Sequence, residues 1–254
     1  MTPEILKSRT DSKSNTVSVV VNPLTVIAWL GAFALLLLLA HVVANAVRFG
    51  AGHPYVYGLV PMFDLDEESN IPTCFSTFLI LFCSVLTGVI AIFKRQHRAP
   101  YAGRWTALAW ILLYLAVDEA SAIHELLSLP AQQMFDARGP LYYAWVVPGA
   151  AFVLLFAVAF GKFVLHLPAR TRRLFATAAI IFLVAALGIE MLGGWQNSLH
   201  GRNNITYRLI AMVEEALEMA GMLLFAYALL DYISVHIEQV SFRVDAKGNS
   251  SQPN

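Results

Sequence analysis

Residues 105–130 read WTALAWILLYLAVDEASAIHELLSLP. At 1.5 Å of rise per residue, a helix of this length crosses the roughly 30 Å hydrocarbon core of a bilayer. Its composition suits that environment until Asp118, Glu119, His124 and Glu125, four ionisable side chains within about two helical turns. Such groups do not face lipid; they turn toward a bundle interior or a wet cavity. The stretch therefore predicts a helical bundle assembled around a polar site.

The rest of the chain agrees. Of its 254 residues 58% are hydrophobic and 13% charged, and the mean hydropathy is +0.62. A soluble domain carries about 25% charged residues. The expected fold class is all-α, a polytopic transmembrane helical bundle of about six spans with both termini cytoplasmic. The spans are placed at about 25–47, 72–93, 105–129, 141–165, 174–195 and 205–236. They form one transmembrane domain, 25–236, between an N-terminal tail (1–24) and a C-terminal tail (237–254), both cytoplasmic, polar and rich in small residues. A basic leader precedes the first span, but its apolar run exceeds the 7–15 residues of a signal-peptide core, so it is read as an uncleaved span. Cys74 and Cys83 lie about 13 Å apart along one helix, too far for a disulfide.

Basic residues set the expected orientation. With the N-terminus inside, thirteen Lys and Arg residues fall on the inner side, and only Arg48, Arg138, Arg202 and Arg208 on the outer side. This is the positive-inside pattern, and it places the chain as a multi-pass protein of a bacterial inner membrane. The acids do the reverse: twelve of seventeen occupy the outer half. With zero formal net charge, nothing suggests nucleic acid as a partner. The expected partner is the lipid bilayer, joined by another membrane-complex subunit or a second copy of the chain.

The outer-half acids have a pattern. Asp118, Ser121, His124 and Glu125 fall within about 120° of the third span's circumference, with Glu119 flanking them. On the sixth span Glu214 and Glu218 are i,i+4 neighbours and Glu215 and Glu218 i,i+3 neighbours, sharing one stripe. Glu190 sits on the fifth span just before Gly193 and Gly194, small residues of the kind that let helices approach closely. Asp118 and Glu214 each lie about 14–17 Å from the outer helix ends, so they can meet at one level. His41 and Asn45, at the outer end of span one, are placed to complete the wall, though a histidine there is more often a helix-packing residue than a ligand.

A carboxylate near a helix centre costs about 2.5–3.5 kcal/mol on insertion scales. Crowded carboxylates repel, and they share protons unless a cation neutralises them. The expected metal site is Asp118, Glu119, His124, Glu125, Glu190, Glu214, Glu215 and Glu218, an oxygen-rich set with imidazole that suits a divalent ion such as iron, manganese or zinc. The arrangement is similar in chemistry to di-metal carboxylate bundles. Those use Glu-x-x-His, whereas here Glu119 precedes His124 by five positions, so no family is assigned. The expected function is a membrane metal-binding protein, with metalloenzyme chemistry as one form of it. Two alternatives remain: a proton- or cation-coupled transporter, and a non-catalytic subunit of a larger membrane complex. Pairing of the acids with Arg48 and Arg208 would explain them without any ligand. The loop FDLDEESN (63–70) lacks the glycine and distal Glu of an EF-hand and is expected to be a solvated acidic lid.

Overall fold

The computed structural model describes residues 22–135 and 137–237, so the expected tails lie outside the described residues apart from their inner ends. Among the described residues the secondary structure is helical throughout, with no strand. In chain order the helices are α1 (Pro23–Asn45), a short α2 (Leu59–Met62), α3 (Ile71–Gln96), α4 (Ala102–Ser121), α5 (Ile123–Phe135), α6 (Val146–His166), α7 (Ala169–Leu183), α8 (Glu190–His200) and α9 (Ile205–His236). α1 continues through a π-helical turn to Gly50, and a second π turn, Val184–Ile189, joins α7 to α8.

Local signals start the long helices where the chain needs them. The side chains of Asn22, Asn70 and Asn204 accept the first free backbone N–H groups of α1, α3 and α9, the usual N-cap role of asparagine. Proline occupies the first turn at Pro23 and Pro72, where its missing N–H costs nothing.

Among the described residues, four helices are long and apolar enough to cross a membrane: Pro23–Gly50, Ile71–Gln96, Val146–His166 and Ala169–His200. A fifth is added if α4 and α5 count as one bent span. The outward faces are apolar and bare, with Trp29, Leu35, Trp110, Leu154 and Val158 all more than half exposed. In water such a surface would drive aggregation; against hydrocarbon it is what a span requires.

The third expected span differs in shape. A break at Ala122, with φ 48° and ψ 40°, turns α5 by 81° from α4. α4 thus ends at Ser121, and Ile123–Phe135 leaves it at a steep angle as a separate helix. Left-handed backbone costs a non-glycine residue roughly 1–2 kcal/mol. The carboxylate of Asp118 holds the turn, accepting the His124 backbone N–H at 2.8 Å and lying 3.1 Å from His124 Nδ1.

Two ends of the bundle can be told apart by their contacts. At one, Trp105 is buried at the meeting of Phe163, Phe175 and Tyr232, and Arg170 pairs with Asp231 at 2.9 Å. At the other, acids dominate. Glycine decides one helix crossing: a Cβ at Gly221 would stand 3.0 Å from the Phe182 backbone and 3.1 Å from the Ala178 carbonyl. α9 therefore packs backbone to backbone on α7.

Candidate functional site: an acidic cavity

A cavity of about 470 Å³ lies at the acidic end. Asp118, Glu119, His124, Glu125, Glu190, Glu214, Glu215 and Glu218 all line it, so the eight side chains selected from the sequence share one space. The bend at Ala122 brings His124 and Glu125 over the cavity, and the π turn ends immediately before Glu190. A π turn inserts one residue into the helical register, which turns Glu190 toward α9.

The walls are linked by polar contacts. Trp145 Nε1–H donates to Glu190 Oε1 at 2.7 Å. The Trp145 ring also packs on the His124 ring, with centroids 4.8 Å apart. The Glu190 and Glu214 carboxyls stand beside each other in the cavity lining, close enough to interact. A run therefore passes from Asp118 through His124, Trp145 and Glu190 to Glu214. Among the described residues, no three His, Cys, Asp or Glu side chains stand in an arrangement that could hold a metal ion. The side chains are gathered around the space without converging on a point in it.

The 63–70 loop corrects the expectation of a solvated lid. Asp64 is 1% exposed. Its carboxylate meets Arg48 at 2.6 Å and Arg208 at 2.9 Å, and Arg208 also holds Asp66 at 2.8 Å. The two arginines expected as partners for the span acids are thus engaged by the loop. The same contacts carry Asp66 and Glu68 into the cavity lining, two site residues that the sequence reading did not select. Glu68 is exposed at the rim. Partial burial there, then repulsion from Glu125, raises its pKa above the ordinary carboxylate value. His41 takes the packing role rather than completing the wall. His41 is buried outside the cavity, accepting the Leu65 N–H on Nδ1 at 3.0 Å, with the Asn45 amide 2.8 Å from Nε2. It anchors the loop.

A second network closes the side nearest α8. Asn197 donates to the Tyr143 hydroxyl at 2.8 Å, and the Tyr143 and Tyr207 hydroxyls lie 2.9 Å apart. Tyr207 donates to Asp66 Oδ1 at 2.7 Å, and Arg202 reaches the same oxygen at 3.3 Å. Tyr143, Trp145 and Tyr207 line the cavity. Gly194 makes room for this: a Cβ there would meet Tyr143 at 3.0 Å.

The balance of charge is one-sided. Among the described residues, nine carboxyl groups line the cavity against one guanidinium, that of Arg202, and one imidazole, that of His124. Fold and site together define a helical membrane-type protein with an acidic cavity at one end. The chain belongs to the family described as Domain of unknown function (DUF8692), whose model it matches over residues 29–232, well over half its length. No curated protein and no solved structure matches it.

Proposed function

We propose that the chain is a six-span cation-binding protein of a bacterial inner membrane, with α9 as the sixth span and both termini cytoplasmic. The positive-inside distribution supports that orientation and turns the acidic cavity toward the outer face. The ion proposed for the cavity is a divalent metal, iron, manganese or zinc, held by carboxylates from α4, α8 and α9 with His124. One observation carries the reading: nine carboxyl groups surround one cavity with a single guanidinium among them. Low-dielectric surroundings make that density of like charge untenable without cations or shared protons. Oxygen donors with one imidazole match the preference of these metals, and a metal would supply charge neutralisation and Lewis acidity there. Binding requires the Glu119, Glu214, Glu215 and Glu218 side chains to rotate inward from their places on the wall.

A second reading, in which protons occupy the cavity and are relayed for transport, is favoured by the Glu190–Glu214 carboxyl contact. The two separate in one experiment. Detergent-purified full-length protein is dialysed against chelator, reloaded with Mn²⁺ and followed by the loss of the free-ion spin resonance signal. Saturable binding that Glu214→Gln and Glu218→Gln each weaken supports the metal reading. Absence of saturable binding, with proton flux in liposomes that Glu218→Gln abolishes, would replace it with the transport reading.

A further inference from the structure

We propose that an apolar groove between α5 and α6 admits the hydrocarbon chain of a cationic amphiphile, a long-chain amine, whose head group reaches the acidic cavity. The proposal rests on the reading of that cavity as a cation site and names a further ligand for it.

The groove is about 350 Å³, within the range of roughly 300–1,000 Å³ typical of ligand pockets. One wall is the α5 stripe Leu127, Pro130, Ala131 and Met134, and the other is Val147, Pro148 and Ala151 from the first turns of α6. The α5 residues recur at i, i+3, i+4 and i+7, one face of a helix. Among the described residues no charged side chain lines the groove.

Its position gives it meaning. Leu127 and Pro148 line both the groove and the acidic cavity, so the two spaces adjoin along that pair. The 81° bend turns α5 away from α4, and the groove it forms with the start of α6 opens at the surface, where Met134 is 79% exposed and Leu127 47% exposed. A molecule lying in the leaflet at the acidic end meets apolar walls first and carboxylates next. α5 itself is two-sided at this point, because Glu125 and Ser128 line the cavity while Leu127 and Ala131 line the groove.

Charge complementarity selects the head group. Nine carboxyl groups around the cavity face three cationic partners, Arg202, Arg208 on Asp66, and His124 when protonated. An ammonium gains from that field, and a carboxylate or phosphate head is repelled by it. The cavity side of the junction also carries Trp145, whose ring face attracts cations. The chain supplies the apolar contact and the ammonium supplies the selectivity.

The test uses full-length protein in nanodiscs of neutral phospholipid, with doxyl-labelled hexadecylamine as the probe. The labelled fatty acid of equal length and unlabelled butylamine are the comparisons. Expected is a saturable immobilised spin signal from the amine, not from the fatty acid, and no displacement by butylamine at equal concentration. Ala131→Trp fills the groove and weakens amine binding roughly ten-fold or more, while Mn²⁺ binding persists, since a lost contact of about 1.4 kcal/mol is one decade. Ala151→Phe, from the opposite wall, acts in the same direction and guards against misfolding of the first variant. Equal immobilisation of amine and fatty acid, or full amine binding in both groove variants, overturns the proposal. Mn²⁺ binding without amine binding defeats this inference alone. Amine binding without Mn²⁺ binding sustains it and defeats the metal reading, and failure of both probes defeats both.

Discussion

Replacement of Asp64 by alanine is expected to cost more stability than replacement of any other acid in its loop. The wild-type carboxylate is buried and meets two guanidiniums, Arg48 at 2.6 Å and Arg208 at 2.9 Å. Removing one member of a buried ion pair leaves its partner charged and unsolvated, typically at about 3–5 kcal/mol. Arg208 keeps Asp66 at 2.8 Å, so the uncompensated charge falls mainly on Arg48 and the lower end, about 3 kcal/mol, applies. For a chain of this size each kcal/mol moves Tm by roughly 2–4 °C, which makes the expected drop about 6–12 °C. The control is Glu67→Ala, because Glu67 is 51% exposed and stands 3.8 Å from Arg208. A solvated pair of that kind is worth about 0.2–1 kcal/mol. Tryptophan fluorescence of detergent-purified protein during heating reads both variants. An Asp64→Ala shift no larger than that of Glu67→Ala would refute the view that this ion pair fixes the loop over the cavity.

Glu68→Gln tests the rim through pH. The folded-state pKa of Glu68 is raised, so its contribution is present at low pH and lost as pH rises through the raised value. The variant should match wild type at low pH and gain relative to it once pH passes the ordinary carboxylate range, as read by Tm across a pH series. Gly221→Ala should destabilise by about 1–3 kcal/mol, since the new methyl meets the Phe182 backbone at 3.0 Å; denaturant midpoints check it. Ala122→Gly should stabilise by about 0.5–1 kcal/mol in the same assay, because glycine adopts φ 48° without the Cβ penalty.

How much of this was legible depended on how far apart in the chain the interacting groups lie. Hydropathy located the long helices; the segment expected at 205–236 is helical as α9, although it is not among the helices apolar enough to cross a membrane. The helical spacing of Glu214, Glu215 and Glu218, and the intolerance of hydrocarbon for isolated acids, placed eight side chains around one cavity. The bend was not legible, because Ser121-Ala122-Ile123 contains neither glycine nor proline and the turn depends on the Asp118 carboxylate reaching His124. The role of FDLDEESN depends on Arg48 and Arg208, of which Arg208 lies 144 residues from Asp64. Composition alone makes such a loop look solvated. The cavity role of Tyr143 and Tyr207 is hidden for the same reason, since their hydroxyls meet from 64 positions apart. An available signal was the tyrosine directly beside Arg208 in a region rich in acids.

The central claim, that the cavity gathers its carboxylates to hold a cation, is tested most directly by metal analysis of the protein purified without chelator. One transition-metal ion or more per chain in the wild type, falling well below stoichiometry in Glu214→Gln and Glu218→Gln, is the predicted result. Wild-type protein that carries only trace metal and takes up none on reloading, while remaining folded, would contradict it.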